Sequence, residues 1–79
     1  MRELEVVVLT TELPDHGLQA GDIGTVVLQH RGGAGYEVEF ATLGGETVAV
    51  VTLLPPQRRP VSQGEIAHAR PVSSARSGG

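Results

Sequence analysis

Glycine and proline interrupt this chain so often that only short apolar runs remain between them. Eleven glycines and five prolines are distributed over 79 residues. The runs that they separate are rich in Val, Ile, Leu and Thr, which favour β-strands. No segment of useful length repeats its apolar residues at the helical period. The sequence therefore predicts an all-β domain, and its length allows only one small core.

The predicted strands alternate with turns. Apolar runs occupy residues 4–10, 23–29, 36–40 and 47–54, and Gly24 inside the second run indicates a bulge or a sharp bend. Pro55-Pro56 should start a single helical turn, after which residues 59–61 resume pairing. Residues 65–70 form either a last strand or a short helix, and we prefer the strand. The prediction is a small five-stranded antiparallel barrel over residues 1–72, with a disordered tail at residues 73–79.

The run at residues 36–40 alternates strictly between apolar and acidic side chains. Tyr36, Val38 and Phe40 share one face, and Glu37 and Glu39 share the other. Because burial of an unpaired carboxylate is costly, the acids should face solvent and the aromatic face should be core.

The hairpin loop decides which residues of the following run join that core. A loop of even length places Thr47, Ala49, Val51 and Leu53 inside and turns Val48 and Val50 outward beside the two acids, whereas a loop of odd length reverses the faces. We expect the even register.

Charge is divided unevenly along the chain. Residues 1–54 contain eight acids and two arginines, a formal charge of −6, whereas residues 55–79 contain four arginines and one acid, a charge of +3. Lysine is absent. An acidic body repels phosphate backbones over a Debye length of about 8 to 10 Å, so only the C-terminal segment is a candidate for contact with nucleic acid.

Cysteine is also absent, which removes disulfides, thiolate metal sites and cysteine nucleophiles from consideration. No apolar run approaches the roughly 18 to 20 residues that a membrane-spanning helix needs. The first residues include acids rather than the basic start of a signal peptide. We therefore expect a cytoplasmic protein with no membrane contact.

The segment Gly21-Asp22-Ile23-Gly24-Thr25-Val26 resembles the first hairpin of SH3-like barrels, including KOW-type modules and the barrel of nitrile hydratase β subunits. Together with residues 6–14, 36–40, 45–47 and 51–53 and with Glu65, Ile66 and Arg70, it makes residues 3–72 similar to an uncharacterised family of short bacterial proteins labelled as a domain of unknown function. The resemblance implies an SH3-like barrel and brings no catalytic residues. By analogy, such small acidic barrels act as antitoxin-like, immunity-like or accessory partners of a genetically linked protein.

Catalytic and metal-binding constellations are not evident. His16, His30 and His68 fall in turns and in the C-terminal segment at spacings that suit no ligand set, so we expect them to be exposed or locally hydrogen-bonded. Asp15 beside His16 should bond a turn backbone rather than act as a catalytic acid. The serines lie in the C-terminal third without a partnered base. We predict a protein that is not an enzyme and needs no cofactor or metal.

The outward-facing set of Glu37, Glu39, Val48 and Val50 mixes acidic and apolar side chains. Exposed mixtures of this kind often mark protein contacts, and we predict that this set binds another protein, basic and genetically linked. The alternative to a binding site is a strand face that is simply exposed to solvent. A homodimer is a further option, because a small barrel gains stability by covering an open edge.

Two other functions are kept as alternatives. A KOW-like module would bind RNA or the ribosome through Arg31, Arg58, Arg59 and Arg70, although we favour a C-terminal segment that is held against the barrel's own carboxylates. An accessory subunit of an enzyme complex is the second alternative, by likeness to nitrile hydratase.

Overall fold

A computed structural model describes residues 5–72 as an all-β chain, as predicted. The predicted disorder at residues 73–79 lies outside the described residues. No α-helix occurs between residues 5 and 72, and three short 3-10 turns join the strands. The strands are β1 (Val6–Leu9), β2 (Ile23–Gln29), β3 (Tyr36–Ala41), β4 (Thr47–Leu53) and β5 (Arg58–Pro60), and the turns are Pro14–His16, Arg31–Gly33 and Pro55–Gln57. The turn at Pro55–Gln57 confirms the helical turn expected there.

The five strands form one antiparallel sheet in the order β4-β3-β2-β1-β5. Within the described residues β4 and β5 pair only with β3 and β1, so the sheet is open where the sequence led us to expect a closed barrel. The short length of β5 accounts for part of this difference. It has three residues, and its last, Pro60, has no backbone N–H to donate.

The C-terminal segment does not form the predicted last strand. Residues 65–70 have neither strand nor helix structure, so our preference for a strand there was wrong, and the fifth strand is Arg58–Pro60 instead. This segment is fixed through side chains rather than through a backbone ladder. Arg70 donates hydrogen bonds to Asp22 and to the carbonyl oxygen of Gly17, in the turn region before β2.

The core lies on one face of the sheet and takes residues from β1 to β4 and from the connection before β2. Its buried members are Val7, Leu9, Leu18, Val26, Val38, Phe40, Val51 and Leu53, with Leu13, Tyr36, Val48 and Ala49 packed against them. The inward orientation of Tyr36, Val38 and Phe40 is confirmed. Because the chain has no cysteine and therefore no disulfide, burial of these apolar side chains is the main favourable term for the domain.

Gly24 leaves room for the packing of neighbouring core side chains. A Cβ on this residue would lie 2.6 Å from Cγ1 of Val38 and 2.8 Å from Cε2 of Phe40, so the aromatic ring occupies the space that a side chain would need. The bulge that we expected at Gly24 is found farther along β2. Val26 pairs with Val38 and Leu28 with Glu37, which leaves Val27 as the extra residue.

A second bulge, in β4, changes which residues of that strand face the core. Ala41 pairs with Thr47 around a loop of residues 42–46, an odd number, whereas Phe40 pairs with Ala49. Val48 is the extra residue, and it restores the even register from Ala49 to Leu53. Ala49, Val51 and Leu53 therefore face the core as predicted.

The same bulge reverses the two residues before Ala49. Val48 packs against the core, and Thr47 is exposed and bonds Glu39 on the opposite face. The expected outward position of Val48 and inward position of Thr47 were wrong, because an unpaired extra residue interrupts the alternation of side chains.

Candidate protein-interaction face

The sheet face opposite the core, which we call the outer face, consists of three cross-strand rows. The first row runs Val6–Thr25–Glu39–Val50, the second runs Leu28–Glu37–Thr52 and the third runs Ile23–Val8–Arg59. Directly paired residues point to the same side of a sheet, so the two acids lie beside apolar neighbours. The exposed fractions are 45% for Val6, 53% for Leu28 and 53% for Val50. Three large apolar side chains thus reach solvent around two carboxylates.

Three of the four predicted interaction residues belong to this face. Glu37, Glu39 and Val50 are brought together, and Val50 is directly opposite Glu39. Val48 is excluded, because it packs against the core. Leu28 and Val6 were missed from the sequence. Leu28 reaches the outer face only because of the bulge at Val27, which a periodicity argument does not detect.

The carboxylate of Glu37 is held by two neighbouring side chains. Thr52 Oγ1 donates a hydrogen bond to Glu37 Oε2 at 2.7 Å, and His30 Nε2 lies 2.8 Å from the same oxygen. The hydrogen bond from Thr52, followed by the one from His30, lowers the pKa of Glu37 below its usual value. The carboxylate is therefore ionised at neutral pH and has a fixed orientation.

Glu39 is oriented by a single donor. Thr47 Oγ1 donates to Glu39 Oε2 at 2.6 Å, a bond that exists because the bulge turns Thr47 outward. In the described part of the chain, the Oε1 atoms of Glu37 and Glu39 accept no hydrogen bond. Each carboxylate thus offers one free acceptor oxygen from a preset position.

The histidines are exposed or locally hydrogen-bonded, as expected. His30 bonds Glu37, and His16 and His68 are exposed. Asp15 is exposed in the 3-10 turn Pro14–His16. Among residues 5–72, no group of three or more His, Cys, Asp or Glu side chains is arranged to hold a metal ion.

The arginines of the nucleic-acid alternative are mostly engaged within the chain. Arg59 donates to both carboxylate oxygens of Glu65, and Arg70 binds Asp22 in the same two-point manner. Arg31 is exposed in the turn Arg31–Gly33. Within the described residues, no contact brings these arginine side chains together into one basic patch.

Arg58 stacks on an aromatic ring. Its guanidinium carbon lies 3.8 Å from the centroid of Tyr36, a cation–π contact. The pair lines an open groove of about 530 Å³ together with Glu5, Val26, Val27, Leu28 and Gln29. Arg58 Nε is buried in the described structure without a hydrogen-bond partner. Neither the stack nor the groove was evident from the sequence, because Tyr36 and Arg58 are on strands that do not pair with each other.

Comparisons with known proteins identify a family for the chain but assign it no function. A family model described as "Domain of unknown function (DUF4926)" matches residues 3–60, which is more than half of the chain. The match ends with β5, before the segment that carries Glu65 and Arg70. Comparisons with curated proteins and with solved structures gave no significant match. No helix within residues 5–72 is long and apolar enough to cross a membrane.

Proposed function

We propose that this chain, which belongs to the DUF4926 family, is a cytoplasmic, non-enzymatic module that binds a basic protein through its outer face. The order β4-β3-β2-β1-β5, with a 3-10 turn before β5, supports an SH3-like module. The absence of cysteine supports a cytoplasmic location.

One observation carries the proposal. Glu37 and Glu39 are fixed by Thr52 and Thr47, each has one oxygen that accepts no hydrogen bond from residues 5–72, and exposed Val50 and Leu28 flank them. A partner that brings arginine or lysine to these oxygens forms charge-assisted hydrogen bonds without first having to order the carboxylates. The valine and leucine side chains supply apolar area to bury at the same time.

The charge of the body determines the class of partner. Residues 1–54 carry −6, so a basic protein is steered toward the module and an acidic one is repelled. Such complementarity raises the association rate more than the affinity. An antitoxin-like, immunity-like or accessory protein that neutralises a basic protein encoded by a neighbouring gene has this chemistry.

The test is co-expression and reconstitution with the basic product of an adjacent gene. Glu37→Gln combined with Glu39→Gln removes two charges from the outer face and keeps the shape of both side chains. We expect this variant to weaken binding at least tenfold and to slow association most strongly at low salt, as measured by surface plasmon resonance.

A matched control removes two charges elsewhere. Glu12→Gln combined with Asp15→Asn changes the net charge equally at exposed residues of the connection between β1 and β2, away from the rows of the outer face. If both double variants lose binding to the same extent, only net charge matters and the outer face is not the site. Unchanged binding by the Glu37/Glu39 variant contradicts the proposal directly.

The same purification discriminates the alternatives. Co-purified RNA that is lost in an Arg31→Gln and Arg58→Gln double variant would support the KOW-like RNA- or ribosome-binding module. A stable complex with a larger catalytic chain would support the accessory subunit. Either result would replace the neutralising role proposed above.

A further inference from the structure

The two edges of the sheet differ in how they are protected. β5 has three residues, two of which are arginines and one proline. A short edge with charges and proline resists pairing with another strand. β4, at the other edge, has seven residues, Thr47–Leu53, with no charged residue and no proline. The β4 edge therefore lacks the protection that charge, proline or short length gives, and its bulge is confined to Val48 near the start of the strand.

Among residues 5–72, none pairs with the backbone of β4 along its free side. Within residues 5–72, its ladder joins it to β3, and no other backbone hydrogen bond involves residues 47–53. An edge strand of this kind presents a row of N–H and C=O groups that another strand can satisfy. The bulge at Val48 lies near the start of β4 and leaves residues 49–53 in regular register with β3.

We infer that β4 is a dimerisation edge, and that a second copy of this chain pairs with it antiparallel about a twofold axis. The result is a continuous ten-stranded sheet with an isologous interface. This inference concerns the backbone edge of β4, which adjoins the outer face and shares Val50 and Thr52 with it, and it does not depend on the proposed function.

The sequence of β4 suits a second copy. Because β4 contains only apolar residues and threonines, antiparallel pairing of two β4 strands never places a charge opposite a like charge. Cross-strand pairs of β-branched residues and of threonines are favourable. Val50, near the middle of the strand and 53% exposed, approaches its symmetry mate and covers part of its apolar surface.

The acidic body does not prevent this association. Glu37 and Glu39 are on β3, one strand inward from the edge. With strands about 4.8 Å apart, the β3 strands of two copies are separated by three spacings, about 14 Å. That distance exceeds the Debye length of about 8 Å at physiological salt, so repulsion between the two acidic pairs is largely screened.

The test measures the mass of the purified full chain by sedimentation over a concentration series from about 1 μM to 1 mM. We expect a reversible monomer–dimer equilibrium, and slower amide hydrogen exchange in β4 as the dimer fills. Val50→Lys puts a charge at the centre of the edge, where two copies meet, and should weaken the dimer roughly tenfold or more.

The matched control is Val6→Lys. Val6 is in the same outer-face row as Val50 and is 45% exposed, but it is on β1, which has neighbours on both sides. This variant should dimerise as the wild type does. Circular dichroism establishes that both variants are folded.

A chain that stays monomeric across the whole series overturns the inference. So does a dimer that Val50→Lys leaves intact, or one that both lysine variants weaken equally. Because the measurement uses the chain alone, none of these results bears on binding of a basic partner. Loss of that partner in the Glu37/Glu39 variant likewise leaves the dimer prediction standing.

Discussion

Arg70 binds Asp22 across 48 residues of sequence through two hydrogen bonds. Arg70 Nε donates to Asp22 Oδ1 at 2.9 Å, and Nη2 donates to Oδ2 at 2.6 Å. Burial by itself raises the pKa of Asp22, but the hydrogen bonds from Arg70 and from the backbone N–H of Gln19 outweigh burial and lower it. This pair ties the irregular C-terminal segment to the beginning of β2.

Arg70→Ala should therefore reduce the free energy of unfolding by about 1 kcal/mol at pH 7. The carboxylate of Asp22 has its pKa lowered in the folded state, so its stabilising effect is present above the unfolded value of 3.8 and disappears as the pH falls through the folded value. The difference between wild type and variant should be constant from neutral pH down to about pH 5 and shrink below about pH 4.

Urea unfolding at a series of pH values measures this difference. Arg59→Ala is the control, because its partner Glu65 is only six residues away and the pair is exposed; its loss of stability at pH 7 should be clearly smaller. Equal losses in the two variants would show that Arg70 does not anchor the segment.

Gly24→Ala tests the close approach of the aromatic ring. The added Cβ would lie within 3 Å of both Val38 and Phe40, and overpacking in a core costs about 1 to 3 kcal/mol. We expect a lower thermal midpoint with β-structure retained. Gly64→Ala meets no atom within 4 Å and should be neutral or slightly stabilising. A neutral Gly24→Ala would mean that the core relaxes around the new methyl group.

Because of the β4 bulge, the same substitution should change the free energy of unfolding by different amounts at Val48 and at Val50. Val48→Thr puts a hydroxyl against the core and should cost about 1 kcal/mol. Val50→Thr changes an exposed side chain and should stay within about 0.5 kcal/mol of wild type. Chemical denaturation of both variants decides this. Equal losses at the two valines would indicate regular alternation, in which both share one face, and would contradict the bulge.

Thr52→Val should raise the pKa of Glu37 toward its ordinary value of 4.5, because the hydrogen bond from Thr52 is the largest cause of its lowering. Carboxyl chemical shifts followed through an NMR pH titration report this change. Thr47→Val is the control, since Thr47 bonds Glu39 instead. If both substitutions move Glu37 equally, the effect is not a local hydrogen bond.

The outer face was predictable in part. The alternation of residues 36–40 placed Glu37 and Glu39 outside and Phe40 in the core, because a carboxylate without a partner is too costly to bury. The outward position of Val50 was predicted from an even hairpin loop, and it holds because the bulge at Val48 offsets a loop of odd length. Val48 and Leu28 were not predictable, because each depends on an extra residue in a strand, and an apolar run looks the same with or without a bulge.

The arginines illustrate a second limit. Their clustering after residue 54 indicated that they would meet the carboxylates of the acidic barrel. Arg70 does so at Asp22, whereas Arg59 binds Glu65 of its own segment. Which carboxylate each one meets depends on the path of residues 61–72, which has no periodic pattern to follow. The stack of Arg58 on Tyr36 likewise requires the two strands to be in place first.

The amino-acid sequence by itself determined the fold class, the strand positions, the inward aromatic residues and the acidic exterior, since all of these follow from local preferences and from the cost of burying charge. Tertiary structure alone decided the two bulges, the partner of each arginine and the open edge at β4. These features depend on pairing between residues far apart in sequence, and such pairing minimises the energy of the whole sheet rather than that of any one segment.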